Sequence, residues 1–95
     1  MPRGEGAGSF PTYRIFETKQ FLSDIGRQGQ PRLEAKLQTY IYPILLDNPR
    51  FGPNIKQLKN WDPPTWRYRV GDWRFFYEID EEKRIVFMLA CKQRK

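Results

Sequence analysis

The residues best suited to chemistry stand in the stretch Trp66 to Asp80, WRYRVGDWRFFYEID. There Arg67 and Arg69 alternate with apolar residues before a Gly-Asp pair, and Arg74 follows it. Guanidinium groups are fork-shaped cations matched to phosphate and carboxylate oxygens, so such a set can bind a phosphodiester and stabilise negative charge developing on it. Arginine as a residue type stays protonated, so any proton abstraction needs another group. Lys56 and Lys59 are further candidates for the base or for phosphate contact and Lys92 for reaching the nucleic acid, and Glu78 is a carboxylate that either takes a proton or neutralises its neighbours; the neutralising role is the simpler one. Trp61 and Trp66 could stack on bases, a contact of about 1–3 kcal/mol per base in single-strand binders, although Trp66 equally suits a core. Exposed lysines are common, and for Lys56 and Lys59 an ordinary solvated role is the alternative.

The spacing implies the element that positions the arginines. Period-2 alternation around Gly71-Asp72 predicts two antiparallel strands closed by a type II′ turn. With that turn, Val70 faces Trp73, Arg69 faces Arg74, Tyr68 faces Phe75, Arg67 faces Phe76 and Trp66 faces Tyr77. Parity puts Trp66, Tyr68, Val70, Trp73, Phe75, Tyr77 and Ile79 on one face and Arg67, Arg69 and Arg74 on the other. Like charges directly opposite destabilise a sheet, so Arg69 opposite Arg74 is costly in a plain scaffold, whereas a bound polyanion would remove the cost. The alternative is a solvated outer face screened by salt.

Composition narrows the function classes. Ninety-five residues predict one domain with a modest core rich in aromatic rings. Seventeen Lys and Arg against eleven Asp and Glu leave a net charge of +6, which favours an anionic partner. Histidine is absent, which removes Ser-His and Cys-His catalysis and His-containing zinc sites, so neither metal nor cofactor is expected. The single Cys91 lies in an apolar run, as a buried side chain of a protein in the reducing cytoplasm rather than a nucleophile. The start, MPRGEGAGSFPT, lacks an apolar signal core, and no run of 18 apolar residues occurs, so residues 1–12 read as a flexible leader and 13–95 as the domain, with no membrane partner.

Further elements follow from periodicity. YRIFET (13–18) alternates as a first strand, and Phe21, Leu22 and Ile25 mark a short helix ended by Gly26 and Gly29. Leu33, Leu37, Tyr40, Ile41, Ile44 and Leu45 recur with helical spacing after Pro31, and Pro43 predicts a kink or an end near Tyr42. Residues 47–54 read as a loop and IKQLKNWDPP as irregular chain. IVFMLAC (85–91) reads as a central strand covered on both sides. The order is β-α-α-β-β-β, an α+β domain with an antiparallel sheet, a helical pair on one face and the other face free for binding.

The stretch LKNWDPPTWRYRVGDWRFFYEIDEEKRIVFMLACKQR, with YRIFETKQF before it, resembles the RelE/ParE superfamily, the toxins of bacterial type II toxin–antitoxin modules. The likeness spans about residues 12 to 94 and is most specific in the R-x-R-V-G-D-W-R-x-x-Y-E-I-D hairpin. It implies a RelE-like fold, a cognate antitoxin partner and toxin–antitoxin hetero-oligomers. In the RelE branch it implies a metal-independent endoribonuclease, an mRNA interferase that cleaves messages on the ribosome, inhibits translation and arrests growth. Carried over by position, Arg67, Arg69, Arg74 and Arg94 are the catalytic set. The proposed chemistry is attack of a 2′-hydroxyl on its own 3′-phosphate. The sequence departs from the RelE branch, which has lysines at the positions of Arg67 and Arg69. Gln93 replaces a frequent histidine, and the frequent tyrosine beyond Arg94 is missing, departures expected to spare phosphate binding and lower activity. The second expectation is a ParE-type toxin that binds DNA gyrase without cleaving a bond, and the third a basic binding module without activity.

Overall fold

The computed structural model describes residues 12–93, so the expected leader lies outside the described residues except for Thr12, as does Arg94. The strands are β1 (Arg14–Glu17), β2 (Ile55–Gln57), β3 (Trp66–Val70), β4 (Trp73–Asp80) and β5 (Ile85–Gln93). The helices are α1 (Lys19–Gln28), α2 (Pro31–Lys36) and α3 (Tyr42–Asp47), the last two joined by a π-helical segment, Leu37–Ile41. The sheet order is β1-β5-β4-β3-β2. All neighbours are antiparallel except β1, which runs parallel to β5.

The expected α+β domain is present, with one strand more than the periodicity suggested. Residues 55–57, read as irregular chain, pair with β3 as an edge strand. Three residues are too few for alternation to register, and their pairing comes from the partner strand.

The hairpin register is the expected one, from Val70 opposite Trp73 to Trp66 opposite Tyr77. Of the two turn residues only Gly71 has positive φ, at 55°, as a type II′ turn requires. Parity then turns Tyr68, Phe75 and Tyr77 inward, where they are buried with Val86, Met88 and Cys91 of β5 against Phe21, Ile25, Leu33, Leu37, Ile41 and Leu45 of the helices.

The helical run continues past Pro43, against the expected end near Tyr42. The π-helical segment immediately before it carries a bond from Tyr42 N–H to the Leu37 carbonyl, five residues back, and α3 continues. The wider turn also keeps Leu33, Leu37, Ile41 and Leu45 on one buried line, although a strict four-residue repeat drifts round an ordinary α-helix. Tyr42 is thereby buried in place of the expected Tyr40, which is 53% exposed.

In α1, Thr18 caps the N-terminus through Phe21 N–H and Gly29 closes the C-terminus at φ 59°. Leu22, expected inside, is exposed, and Asp24 is buried in its stead. Its carboxylate accepts the Cys91 backbone N–H at 2.9 Å and Gln20 Nε2 at 2.8 Å and pairs with Arg27, which ties α1 to β5. Strand β5 is flanked by β1 and β4, but only one of its faces is covered by helices, so its apolar run serves the core on one side and an open face on the other.

Candidate nucleic-acid interface

The open face of the sheet is built by the residues that parity turns away from the helices. Three adjoining rows of it concern the site. Lys92, Arg74 and Arg69 stand side by side on β5, β4 and β3. Next come Ala90, Phe76, Arg67 and Lys56, the last contributed by the edge strand β2. The third row is Phe16, Phe87 and Glu78. A register shift between Phe76 and Tyr77 leaves Leu89 as the extra residue, and it brings Phe87 rather than Met88 onto this face.

Arg69 and Arg74 form the pair next to the turn-closing one, a position without mutual backbone bonds where side chains approach most closely, with Cα atoms roughly 4.5 Å apart. The Arg69 N–H points the other way, to the Asn54 carbonyl at 3.0 Å. Among the described residues none of Lys56, Arg67, Arg69, Arg74 and Lys92 is held in an ion pair, while Arg27, Arg50 and Arg84 are. The Nε atoms of Arg67 and Arg74 are buried with no hydrogen-bond partner among the described residues. A buried donor left unpaired costs about 1–3 kcal/mol, a cost that no acceptor among the described residues offsets. Beside them an open groove of about 490 Å³ is lined by Asn54, Lys56, Arg67, Arg69 and Gly71.

Of the candidates from sequence, Arg67, Arg69, Arg74, Lys56 and Lys92 therefore meet on one surface. Lys59 and Trp61 do not join them: they lie on the β2–β3 connection, at the end of that ladder opposite the Gly71 turn, with Trp61 56% exposed. Trp66 packs half-buried against the core, with the Arg50 guanidinium 5.9 Å from its ring centre. Glu78 shares the face two rows from Arg74. Cys91 points into the core, where burial pushes its thiol up to about 12, so it supplies no thiolate near neutral pH. The surface offers positive donors in quantity and, among the described residues, no histidine and no carboxylate within the arginine rows. Sequence reasoning placed Phe76 opposite Arg67 without counting it as part of this face, and missed Phe16 and Phe87, because a short parallel strand and a bulge decide where those two point.

A family model for the ParE toxin of the type II toxin–antitoxin system parDE matches residues 15–94. The chain belongs to this toxin family. Among solved structures, this toxin is similar to a chain of the toxin–antitoxin complex RelBE2 of Mycobacterium tuberculosis, with a TM-score of 0.74 and 26% identity over 88% of this chain and 99% of that one. The archaeal RelE–RelB complex of Pyrococcus horikoshii gives 0.67 and 24% identity over 87% and 96%. The isolated RelE toxin of Escherichia coli gives 0.68 and 19% over 87% and 85%. None of the curated proteins matches in sequence. The chain is thus a toxin of the RelE/ParE type.

Proposed function

We propose that this toxin acts on messenger RNA, binding its phosphates on the arginine rows and promoting cleavage while the message lies on the ribosome. The observation that carries the reading is the unpaired cluster of Arg67, Arg69 and Arg74, flanked by Lys56 and Lys92, with two buried guanidinium nitrogens lacking a partner among the described residues. In the reaction the 2′-oxygen forms a bond to the adjacent phosphorus as the bond to the 5′-oxygen breaks. Charge grows on the phosphoryl oxygens at the place guanidinium donors serve best. One proton leaves the 2′-hydroxyl and one reaches the 5′-oxygen. The described surface has no histidine for either transfer, so on this reading proton transfer falls to Glu78 or Lys56 of the same face or to the ribosomal surroundings, and the positioning and charge stabilisation to the arginines. Arg94, which follows Gln93 in the sequence, joins the set on this reading. The toxin works in the cytoplasm and is held inactive there by a cognate antitoxin.

A second reading, a ParE-type toxin directed at DNA gyrase, is favoured by the family model itself. Induction of this chain and of Arg74→Ala in bacteria, with primer extension on abundant messages, separates the two. Cuts that require translation and disappear in Arg74→Ala are expected. Growth arrest with intact messages and altered plasmid supercoiling would move the assignment to gyrase.

A further inference from the structure

The open sheet face is cationic at one end and aromatic at the other. Phe16 and Phe87 stand opposite each other on β1 and β5, with ring centres 5.5 Å apart in an edge-to-face arrangement. Among the described residues no helix packs on this face of the sheet, and Phe16 is 53% exposed. Phe76 lies between Phe87 and the cations, sharing its row with Arg67. Arg14 precedes Phe16 on the same face of β1, in a row shared with Ile85 and Asp80, so charge of both signs lies beyond the aromatic pair on that side. Exposed phenylalanines on a sheet carry a solubility cost and mark contact surfaces. An aromatic shelf continuous with a phosphate-binding row is the arrangement that single-stranded nucleic acid fits, since it offers charge along its backbone and a flat apolar face on every base.

We propose that Phe16 and Phe87 form a stacking platform for an unpaired base of the RNA whose phosphates lie on the arginine rows, an inference that rests on the RNA reading above. Glu78, beside Phe87, keeps phosphate off this row and leaves it to the base. Stacking tolerates any base, so the platform adds affinity and register with little sequence preference.

The test is titration of the full chain with a short fluorescent single-stranded RNA and with an abasic strand of the same length. Phe16→Ala is expected to weaken binding to the RNA about five- to tenfold, the lower range for loss of one stacked ring, and to leave the abasic strand unaffected. Phe16→Trp should retain full affinity, and Arg74→Ala should weaken both strands. Phe16→Leu, which keeps apolar bulk and melts like the parent chain, should lose affinity as the alanine variant does. Unchanged RNA binding by Phe16→Ala and Phe16→Leu, with Arg74→Ala impaired, would overturn the platform and leave the RNA reading standing. Weakening of both strands alike by Phe16→Ala would also overturn it. Absence of RNA binding by the parent chain would remove the RNA reading and the platform together. Loss of antitoxin affinity alone would reassign the two rings to that protein.

Discussion

At the scale of single residues, the open face and the core respond to substitution in opposite senses. Arg69 and Arg74 stand opposite each other as like charges, and the Arg74 Nε is a buried donor without a partner among the described residues. Removing either arginine relieves repulsion of a few tenths of a kcal/mol, so Arg69→Ala and Arg74→Ala should melt at the parent temperature or slightly above it while losing toxicity. A large fall in melting temperature would make these arginines structural. Asp24 behaves in the contrary way. Its carboxylate is 2% exposed and accepts the Cys91 N–H, so Asp24→Ala leaves a buried donor unpaired and should destabilise by about 1–3 kcal/mol in chemical denaturation. Cys91 adds a pH dependence. Its thiol is held near 12, above its ordinary value, so the folded chain keeps a proton that the unfolded chain loses. Stability is therefore undiminished below about pH 8.5 and declines as pH rises from there towards 12, a decline that Cys91→Ala should lessen.

At the scale of elements, the β3–β4 turn and the β4–β5 turn are held by different means. Gly71 has φ 55° and open space where a Cβ would lie, so Gly71→Ala costs conformational energy only, about 1 kcal/mol or somewhat more, readable as a shift in denaturation midpoint at unchanged slope. The β4–β5 turn is fastened by Glu81, which accepts hydrogen bonds from Arg50 at 2.6 Å and from the Tyr13 hydroxyl at 3.0 Å. The Arg50 guanidinium and the Tyr13 hydroxyl hold the Glu81 carboxyl below the usual carboxylate range. A lowered folded pKa gives stability that is present above the ordinary carboxylate pKa and is lost as pH falls through the folded value. Glu81→Gln should therefore melt below the parent chain at neutral pH and converge with it in acid. A gap that persists at low pH would place the effect in packing rather than charge.

At the scale of the whole molecule, the net charge of +6 is distributed so that five cations, Lys56, Arg67, Arg69, Arg74 and Lys92, cluster in two adjoining rows on one side of the sheet while the helices seal the other. If all five engage RNA phosphates, the logarithm of affinity should fall against the logarithm of salt with a slope of about −3.5, and Arg74→Ala should reduce that slope by about 0.7. A slope near zero would show that the face does not bind a polyanion. No helix among the described residues is long and apolar enough to cross a membrane.

The hairpin, its turn, its register and the turning of the three arginines away from Tyr68, Phe75 and Tyr77 were legible in the chain itself. They are local: a two-residue turn with one glycine sets every pairing that follows, and the two-residue period sets the faces. The family likeness was legible there too. Tertiary structure alone decided the rest. The parallel seating of β1 against β5 brings Phe16 to Phe87 across seventy residues of chain, and no local pattern encodes a contact that distant. The bulge at Leu89 switches which side chains β5 sends outward, so IVFMLAC reads as uniformly buried when half of it faces outward. The π-helical segment before Pro43 exchanged Tyr40 for Tyr42 in the core, because the helix widened rather than broke to bury the line from Leu33 to Leu45. Charge and alternation specified the cationic face; long-range packing specified what lies beside the arginines on it.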